Sequence, residues 1–416
     1  MGLLAKFFGP PSREKFSRLV ARQLRERGES RPIQFDPERF CLRLGDNAHT
    51  MFLQNAYVEY CRTPRARRTD VLQRAASTVE LGRRPEPALD EVRSNLLPRV
   101  RERVYFSSFD LNTRIERLIR PPETNADKPP LENFIIQPFA EQLTLEIVID
   151  TPTAIQSLSR KLVEKWGVSF DELLPIAKDN LWRMSNQDFP QVAPGVYLSP
   201  WRDTHDASRL FLHDLIWQLK VKGDHVAAVP NRDILLVTGS EDVDGLKAMA
   251  ALAEEALKQP RPMTGTFFRL SGTQWSPFLP SPDSPAYWPV KGLAMRVIAN
   301  DYAEQTSLLT TLHEKSKQDV FVAKQALMRR DDGSFWTWAV WVDGVDDALL
   351  PKADFISFGA VENGQKRQDG WAPWSSVVSV LGHRMEATDV YPPRFRVRTY
   401  PTVDERAALQ LMKEPT

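Results

Sequence analysis

Apolar side chains recur at helical spacing in several stretches of the chain, with polar residues between them. In residues 12–28 an apolar stripe lies between a capping serine, Ser12, and Gly28, which suits a helix end. Ser169 with Glu172 three residues later forms a capping box. The spacing predicts helices over residues 12–28, 69–80, 152–165, 169–184, 206–220, 241–258, 301–315 and 402–413.

Short alternating or continuous apolar runs, bounded by turn residues, predict strands. In residues 335–342 both faces are largely apolar, which is typical of a strand in the interior of a sheet. The runs predict strands over residues 33–35, 40–44, 103–109, 133–149, 195–198, 225–229, 233–238, 264–270, 273–278, 319–328, 335–342, 353–361 and 394–399. The mixture predicts an α+β fold with a two-lobed N-terminal region and a separate Trp-rich α+β domain.

Two proline-rich segments divide the chain. Residues 121–130 begin and end with proline pairs, and residues 277–289 contain five prolines, so both are predicted to be linkers. The predicted regions are a basic lobe at 12–120, a second lobe at 131–280 and a C-terminal domain at 290–416. Six of the eleven tryptophans lie between residues 288 and 374, which makes the last region distinct.

Composition limits the class of protein. A chain of 416 residues is long enough for two or three domains, and its 42% hydrophobic content is ordinary for globular proteins. The two cysteines, Cys41 and Cys61, exclude a disulfide framework and a Cys-rich zinc module, and favour a reducing compartment. No apolar run approaches the length that a membrane span needs, so no membrane-spanning segment is predicted.

Charge is unevenly distributed although the whole chain is nearly neutral. Residues 1–120 carry 24 Lys and Arg against 15 Asp and Glu, and nearly all of these cations are arginines. Guanidinium groups suit phosphate or carboxylate partners, so Arg65, Arg67 and Arg68 are candidate partner-binding residues. The alternative is a solvated helix face whose arginines pair within the protein. Aromatic residues do not alternate with these arginines, so a base-stacking surface is not indicated.

The common catalytic and nucleotide-binding signatures are absent, and no cofactor or metal is predicted. The densest polar cluster is at 202–214, followed by the segment Pro230–Asp233. An acid/base or metal-assisted site would use candidate residues from both segments, namely Asp203, Asp206, Arg209, Arg232 and Asp233, with His205 and His213 nearby. The alternative is structural: an aspartate caps a helix, Arg209 pairs locally, and Arg232 and Asp233 pair in a hairpin turn.

Trp371 and Trp374 follow a polar segment at 362–370. Exposed tryptophans in a loop are typical anchors for a protein partner, so both are candidate partner-binding residues. The alternative is that they cover the edge of the core.

Four segments resemble the YtpQ-like bacterial family of unknown function. They are Lys15–Leu44, Glu172–Met184, Asp206–Leu210 with the sequence DASRL, and Val229–Leu235 with the sequence VPNRDIL. The resemblance covers about residues 12–280 and implies a bacterial cytoplasmic protein without implying a reaction. Where other members have Gly-Tyr before DASR, this chain has Thr204 and His205, which argues against a shared catalytic role for His205.

The sequence therefore favours a non-enzymatic protein that binds another macromolecule, with a protein partner preferred. One alternative is a hydrolase or metal-dependent enzyme with a cleft around Asp206, Arg209, Arg232 and Asp233. The other is nucleic-acid binding through the Arg-rich N-terminal lobe.

Overall fold

A computed structural model describes residues 11–45, 49–81, 86–119, 133–151, 154–362 and 365–415. The chain forms two compact units. The first contains residues up to 99 together with 146–186 and 258–261, and the second contains 100–145, 187–257 and 262 onward. The predicted linker at 121–130 lies outside the described residues, and the division at 120, 131, 280 and 290 stays a prediction.

The helices of the described residues are mostly short and amphipathic. They are α1 Arg13–Glu26, α2 Gln54–Arg62, α3 Arg68–Leu81, α4 Leu89–Val92, α5 Arg103–Ile119, α6 Arg160–Trp166, α7 Phe170–Arg183, α8 His213–Trp217, α9 Val243–Leu257, α10 Tyr287–Ser316, α11 Trp374–Leu381 and α12 Val403–Ala408. Single 3₁₀ turns occupy Arg65–Arg67, Arg93–Asn95, Ala207–Phe211 and Gly382–Arg384.

The strands are short, and most pair with antiparallel neighbours. They are β1 Ile33–Asp36, β2 Cys41–Leu44, β3 His49–Phe52, β4 Leu96–Glu102, β5 Ile136–Ala140, β6 Leu143–Thr151, β7 Ala154–Ser157, β8 Gln191–Ala193, β9 Val196–Leu198, β10 His225–Asn231, β11 Ile234–Gly239, β12 Phe267–Ser271, β13 Gln274–Phe278, β14 Phe321–Val322, β15 Ala326–Arg329, β16 Phe335–Val342, β17 Ala348–Pro351, β18 Phe355–Glu362, β19 Gln365–Pro373, β20 Met385–Ala387 and β21 Arg394–Val397.

These strands form five sheets, so the predicted α+β class is confirmed. The first unit holds the three-stranded sheet β1-β2-β3. The second holds the six-stranded sheet β13-β12-β10-β11-β9-β8 and two four-stranded sheets, β14-β17-β21-β20 and β15-β16-β18-β19. A further sheet has the order β4-β6-β5, with β7 paired to β6.

Helix α1 shows how the sequence builds the first unit. The Ser12 hydroxyl accepts a hydrogen bond from the Lys15 N–H at 3.1 Å, as an N-cap does. Phe16, Val20 and Leu24 recur every four residues and are buried in the core that includes the apolar residues of β2. The helix predicted at 12–28 is therefore confirmed, and its apolar stripe is what attaches it to the sheet.

The strand predicted at 335–342 is interior, as its apolar pattern indicates. It is β16, paired antiparallel with β15 and parallel with β18. Ala339 and Trp341 are buried on one face, where Trp341 stacks on Phe358 with ring centroids 5.9 Å apart. Trp336 and Trp338 lie on the other face and are half-buried.

Several predictions of secondary structure are wrong in type or extent. The helix predicted at 152–165 contains strand β7 at Ala154–Ser157 before helix α6 begins, and the helix predicted at 301–315 is the last half of the longer α10. Residues 103–109 are the first turns of helix α5, in which Phe106, Leu111 and Ile115 are buried at helical spacing. The predicted linker 277–289 overlaps β13 and the start of helix α10, which begins at Tyr287. The single helix predicted at 206–220 is a 3₁₀ turn followed by the short helix α8.

Arg394 links helix α10 to strands of the neighbouring sheet. Its guanidinium is fully buried and donates to the Gln305 side chain, to the Thr306 hydroxyl and to the backbone oxygens of Ala323 and Leu349. Burial lowers the pKa of Arg394 to about 10. Each of these acceptors is neutral, so hydrogen bonds rather than an ion pair stabilise the buried charge.

We expect Arg394→Ala to lower the free energy of unfolding by about 3 kcal/mol or more, because it removes a donor from each of four buried acceptors. The Leu349 oxygen also accepts the Ala323 N–H at 3.1 Å and keeps that bond. The control is Arg398→Ala, which removes a largely exposed arginine that lies 3.5 Å from Glu386 and should cost less than about 1 kcal/mol. Urea unfolding followed by tryptophan fluorescence measures both. Equal losses in the two variants would contradict the structural role of Arg394.

Candidate functional site

The segment 201–209 forms a tight turn closed by one buried ion pair. Arg209 is fully buried and donates from both terminal nitrogens to Asp203, at 2.8 and 2.7 Å. Its guanidinium also lies over the Trp201 ring, 4.0 Å from the centroid. This bidentate, stacked arrangement is the strongest form of arginine–carboxylate contact. The local pairing of Arg209 that the sequence allowed is therefore present.

The backbone of this turn is strained. Arg202 and Thr204 have φ values of +51° and +74°, and a β-branched residue rarely adopts the left-handed region. The Asp203 carboxylate accepts the His205 N–H at 3.0 Å, and Asp206 Oδ2 accepts the Asp203 N–H at 3.2 Å. These bonds hold the turn in place, so Asp206 does not cap the helix that was predicted to follow it.

The two aspartates of the turn differ in acidity. Burial raises the pKa of Asp203, but the hydrogen bonds and charge of Arg209 outweigh it, so the pKa lies below its usual value. Burial raises the pKa of Asp206, only partly opposed by a hydrogen bond from Ser199, so its pKa lies above the usual value. Opposite shifts in neighbouring carboxyls are typical of acid/base pairs, although buried structural pairs produce them too.

The segment Pro230–Asp233 adjoins the turn through the backbone. The Ala207 N–H donates to the Arg232 oxygen at 3.1 Å, and the Asn231 side chain accepts the Asp233 N–H at 3.0 Å. Arg232 Nε lies 3.6 Å from Asp233 Oδ1. The structure thus brings the two predicted segments together, but each arginine pairs with an aspartate of its own segment.

The two histidines of this region are both buried, His205 in the turn and His213 next to aromatic rings. His205 is fully buried within the turn. His213 begins helix α8, and its ring lies 6.0 Å from that of Trp217 and 6.3 Å from that of Phe211. Among the described residues, no group of three or more His, Cys, Asp or Glu side chains is arranged to hold a metal ion.

A different site lies in the first unit, where the structure forms a cleft of about 440 Å³. We call it the arginine cleft and define it by its lining residues, which are Glu59, Arg62, Thr63, Pro64, Arg67, Asp70, Arg74 and Pro260. Helix α2, the 3₁₀ turn at 65–67 and helix α3 supply five of the eight lining residues, the connection Thr63–Pro64 supplies two, and Pro260 is the eighth. The basic cluster predicted as a partner surface therefore borders a concave site.

The arginines of the cleft have unequal partners. Glu59 binds two of them, with Arg74 at one carboxylate oxygen and Arg261 at the other, 3.1 Å away. Arg62 donates to the Gln259 side chain and to the Lys258 oxygen, which are neutral acceptors. Arg67 is about three-quarters exposed and lies 3.7 Å from Asp70. Arginine charge therefore exceeds carboxylate charge at this site.

The predicted residues Arg65, Arg67 and Arg68 occupy different positions around the cleft. Arg67 lines it, and Arg65 lies in the same 3₁₀ turn. Arg68 begins helix α3, donates to the Thr63 oxygen at 3.1 Å and lies over the Tyr60 ring. Arg68 thus stabilises the turn in which Arg65 and Arg67 lie.

Trp371 and Trp374 lie in separate environments of the second unit. Trp371 is in strand β19, with its ring 5.1 Å from Trp338 and 5.8 Å from Trp336. Trp374 is the first residue of helix α11, and its ring lies 5.3 Å from Phe395. Both are half-buried, and their role in partner binding stays a prediction.

Of the eight residues that line the arginine cleft, sequence reasoning named only Arg67 as a candidate. Arg62 belongs to a cluster visible in the sequence, and Arg74 follows on the next helix at a spacing that could have been noticed. Pro260 and Arg261 lie about 200 residues away, and no local signal connects them with Glu59. Asp301 was also missed, because only burial distinguishes it from other helical aspartates.

Comparison with known proteins gives distant, partial relatives. The UPF0354 protein of Staphylococcus saprophyticus is 22% identical over 150 residues, which is 35% of this chain and 52% of the relative. The UPF0354 protein of Staphylococcus haemolyticus is 25% identical over 152 residues, with the same coverage. The chain thus matches about half the length of these relatives, whose names state no activity. No protein-family model and no solved structure matches it.

None of the helices in the described ranges combines the length and apolar character that crossing a bilayer requires.

We expect Asp203→Ala to lower the free energy of unfolding by about 3 kcal/mol or more, since it leaves the buried Arg209 charge without its carboxylate. Asp244→Ala is the control, because Asp244 is 92% exposed and lies 3.8 Å from Lys247; it should cost less than about 1 kcal/mol. Urea unfolding checks both. A loss for Asp203→Ala no larger than that of the control would show that the pair does not hold the turn.

Asp301, on helix α10, has the largest described shift among the carboxyls. Burial and the nearby charges of Glu102 and Glu304 raise its pKa to about 7, from 3.8. The folded state therefore holds a proton that the unfolded state releases, and stability is lost as the pH rises from about 4 through 7. Asp301→Asn should match the native protein near pH 4 and be more stable above pH 7, by about 1–3 kcal/mol. Unfolding midpoints across this pH range test it, and a difference independent of pH would contradict the shift.

Proposed function

We propose that this chain is a non-enzymatic binding protein that captures an acidic segment of a protein partner in the arginine cleft. The observation that carries the proposal is the excess of guanidinium groups over carboxylates in a concave site. Such a site attracts anionic groups and orients them through paired N–H donors. We further propose that the chain is a bacterial cytoplasmic protein of the YtpQ-like family, consistent with its distant UPF0354 relatives.

The cleft suits a partner with separated acidic groups better than a continuous polyanion. Glu59 and Asp70 line the same cleft as the arginines and repel a phosphate backbone running past them. The acidic side chains of a protein segment are separated along its backbone. They can therefore contact Arg62 and Arg67 without lying next to the carboxylates of Glu59 and Asp70. Nucleic-acid binding is therefore the less favoured alternative, and it predicts an affinity that falls steeply with salt.

A second candidate function, acid/base catalysis at the 203–209 turn, is supported by the opposite pKa shifts of Asp203 and Asp206. The burial of Asp206 and Arg209 argues against it, because a substrate would reach them only after the turn opens. The binding function requires no such opening.

The test of the binding function is capture of partners from host lysate on the immobilised full-length chain, with and without nuclease. We expect a stoichiometric protein partner that survives nuclease and is lost, at least tenfold, in the variant Arg65→Glu/Arg67→Glu/Arg68→Glu, since three charge reversals replace attraction with repulsion. Because Arg68 also holds the Thr63 turn, Arg62→Glu/Arg67→Glu is the second variant, and both should fold as judged by circular dichroism.

The matched control is Arg18→Glu/Arg22→Glu/Arg183→Glu, which also reverses three arginines of the first unit. All three are exposed and none lines the cleft. This variant should capture the partner normally. Capture that is unchanged in the cleft variants would refute the proposed surface, and capture that disappears with nuclease would favour nucleic-acid binding.

A further inference from the structure

We infer that the group recognised in the arginine cleft is a phosphoryl dianion carried by a side chain of the partner protein. This inference rests on the proposed function and adds to it the chemistry of the ligand. It follows from the charges that the cleft leaves uncompensated and from the donors that remain at its surface.

The charged side chains in and beside the cleft sum to a net charge of +2. The three lining arginines, Arg62, Arg67 and Arg74, together with Arg261, which shares Glu59 with Arg74, carry four positive charges, and the lining carboxylates of Glu59 and Asp70 carry two negative charges. A phosphoryl group on serine or threonine carries about −1.5 to −2 charges at pH 7, whereas a carboxylate carries one. A single phosphoryl group therefore matches the residual charge, and a single carboxylate leaves part of it uncompensated.

The positive charge that no carboxylate of the cleft neutralises lies mainly on Arg62 and Arg67. Glu59 uses both carboxylate oxygens on Arg74 and Arg261, so those two arginines already have an anionic partner. Arg62 has neutral acceptors, and among the described residues no carboxylate lies within ion-pair distance of it. The carboxylate within ion-pair distance of Arg67 is that of the half-exposed Asp70, with Arg67 Nε 3.7 Å from Asp70 Oδ2. Arg62 and Arg67 are thus the guanidinium groups available to an incoming anion.

The positions of these two arginines are set by the backbone around them. Arg62 ends helix α2 and is tethered to residues 258 and 259, and Arg67 ends the 3₁₀ turn that Pro64 precedes. The Thr63 hydroxyl donates to the backbone oxygen of Glu59 at 2.7 Å, and Arg68 Nε donates to the backbone oxygen of Thr63. Because the backbone positions of Arg62 and Arg67 are fixed before a ligand arrives, less conformational entropy is lost when they bind an anion with several acceptor oxygens.

The experiment is a calorimetric titration of the full-length chain at constant ionic strength. The probes are N-acetyl-O-phosphoserine amide, N-acetylglutamate amide, inorganic phosphate and a single-stranded oligonucleotide. We expect the phosphoserine probe to bind about tenfold more tightly than the glutamate probe, because it brings a second charge and a third acceptor oxygen. Inorganic phosphate should compete with it for the same site.

Substitutions of the cleft arginines and of the cleft aspartate should change the affinity for the phosphoserine probe in opposite directions. Arg62→Gln and Arg67→Gln should each weaken the phosphoserine probe about tenfold, through loss of a charge-assisted hydrogen-bond donor. Asp70→Asn removes an exposed carboxylate of the same cleft and should strengthen it about threefold. Arg18→Gln, at an exposed arginine of α1 that does not line the cleft, is the control and should change nothing.

Equal affinity for the phosphoserine and glutamate probes would overturn the phosphoryl inference, as would an Asp70→Asn variant that binds more weakly. Tighter binding of the oligonucleotide than of the phosphoserine probe would replace it with nucleic-acid recognition. These outcomes differ from failure of the proposed function, in which partner capture from lysate does not depend on the cleft arginines.

Discussion

A guanidinium group removed from water must have its donors satisfied, and this constraint organises both units of the protein. Arg99 is buried in the first unit, where it donates to Glu146 at 2.7 Å and to Ser157 at 2.9 Å. In the second unit, Arg209 is held by Asp203 and Trp201, and Arg394 by four neutral acceptors. Arg99 and Arg394 join segments distant in sequence, whereas Arg209 closes a local turn, and in each case the fold around the buried group has little freedom to vary.

The arginine cleft differs from these sites because its donors are not consumed within the chain. Its surface groups remain close to water, and Arg62 and Arg67 have weak or neutral partners. Buried arginines of this protein thus have structural roles, whereas the exposed excess at 62–74 is available for an external anion. The excess of arginine in the N-terminal sequence includes both buried and exposed arginines, and only their burial in the structure tells the two apart.

Local patterns predicted local structure well. The capping box at Ser169 and Glu172 is present in the structure, and the Ala-rich helix predicted at 241–258 is α9. The strand predicted at 103–109 was wrong because seven residues are too few to reveal a helical period that continues to Ile115. The linker predicted at 277–289 failed at its end, since Pro289 lies in the first turn of α10, where proline is tolerated.

The candidate sites were predictable only in part, for a physical reason. The sequence showed the arginines at 62–68 and the polar residues at 203–209, because each group is contiguous. The acceptors of Arg394 and the Arg261 partner of Glu59 come from positions far along the chain, so their roles arise only from the tertiary fold. The sequence left the role of Arg209 open between a site and a local pair, and its burial and bidentate contact favour the structural role.

Anion binding in the cleft requires that its surface arginines contact the anion while the buried arginines do not. Arginine Nε–H signals in ¹H–¹⁵N spectra of the full-length chain, assigned by single substitutions, test it directly during a titration with inorganic phosphate. We expect saturable shifts for Arg62 and Arg67 and unchanged signals for Arg209 and Arg394. Shifts that grow without saturation, or that are as large at exposed arginines outside the cleft such as Arg18, would contradict it.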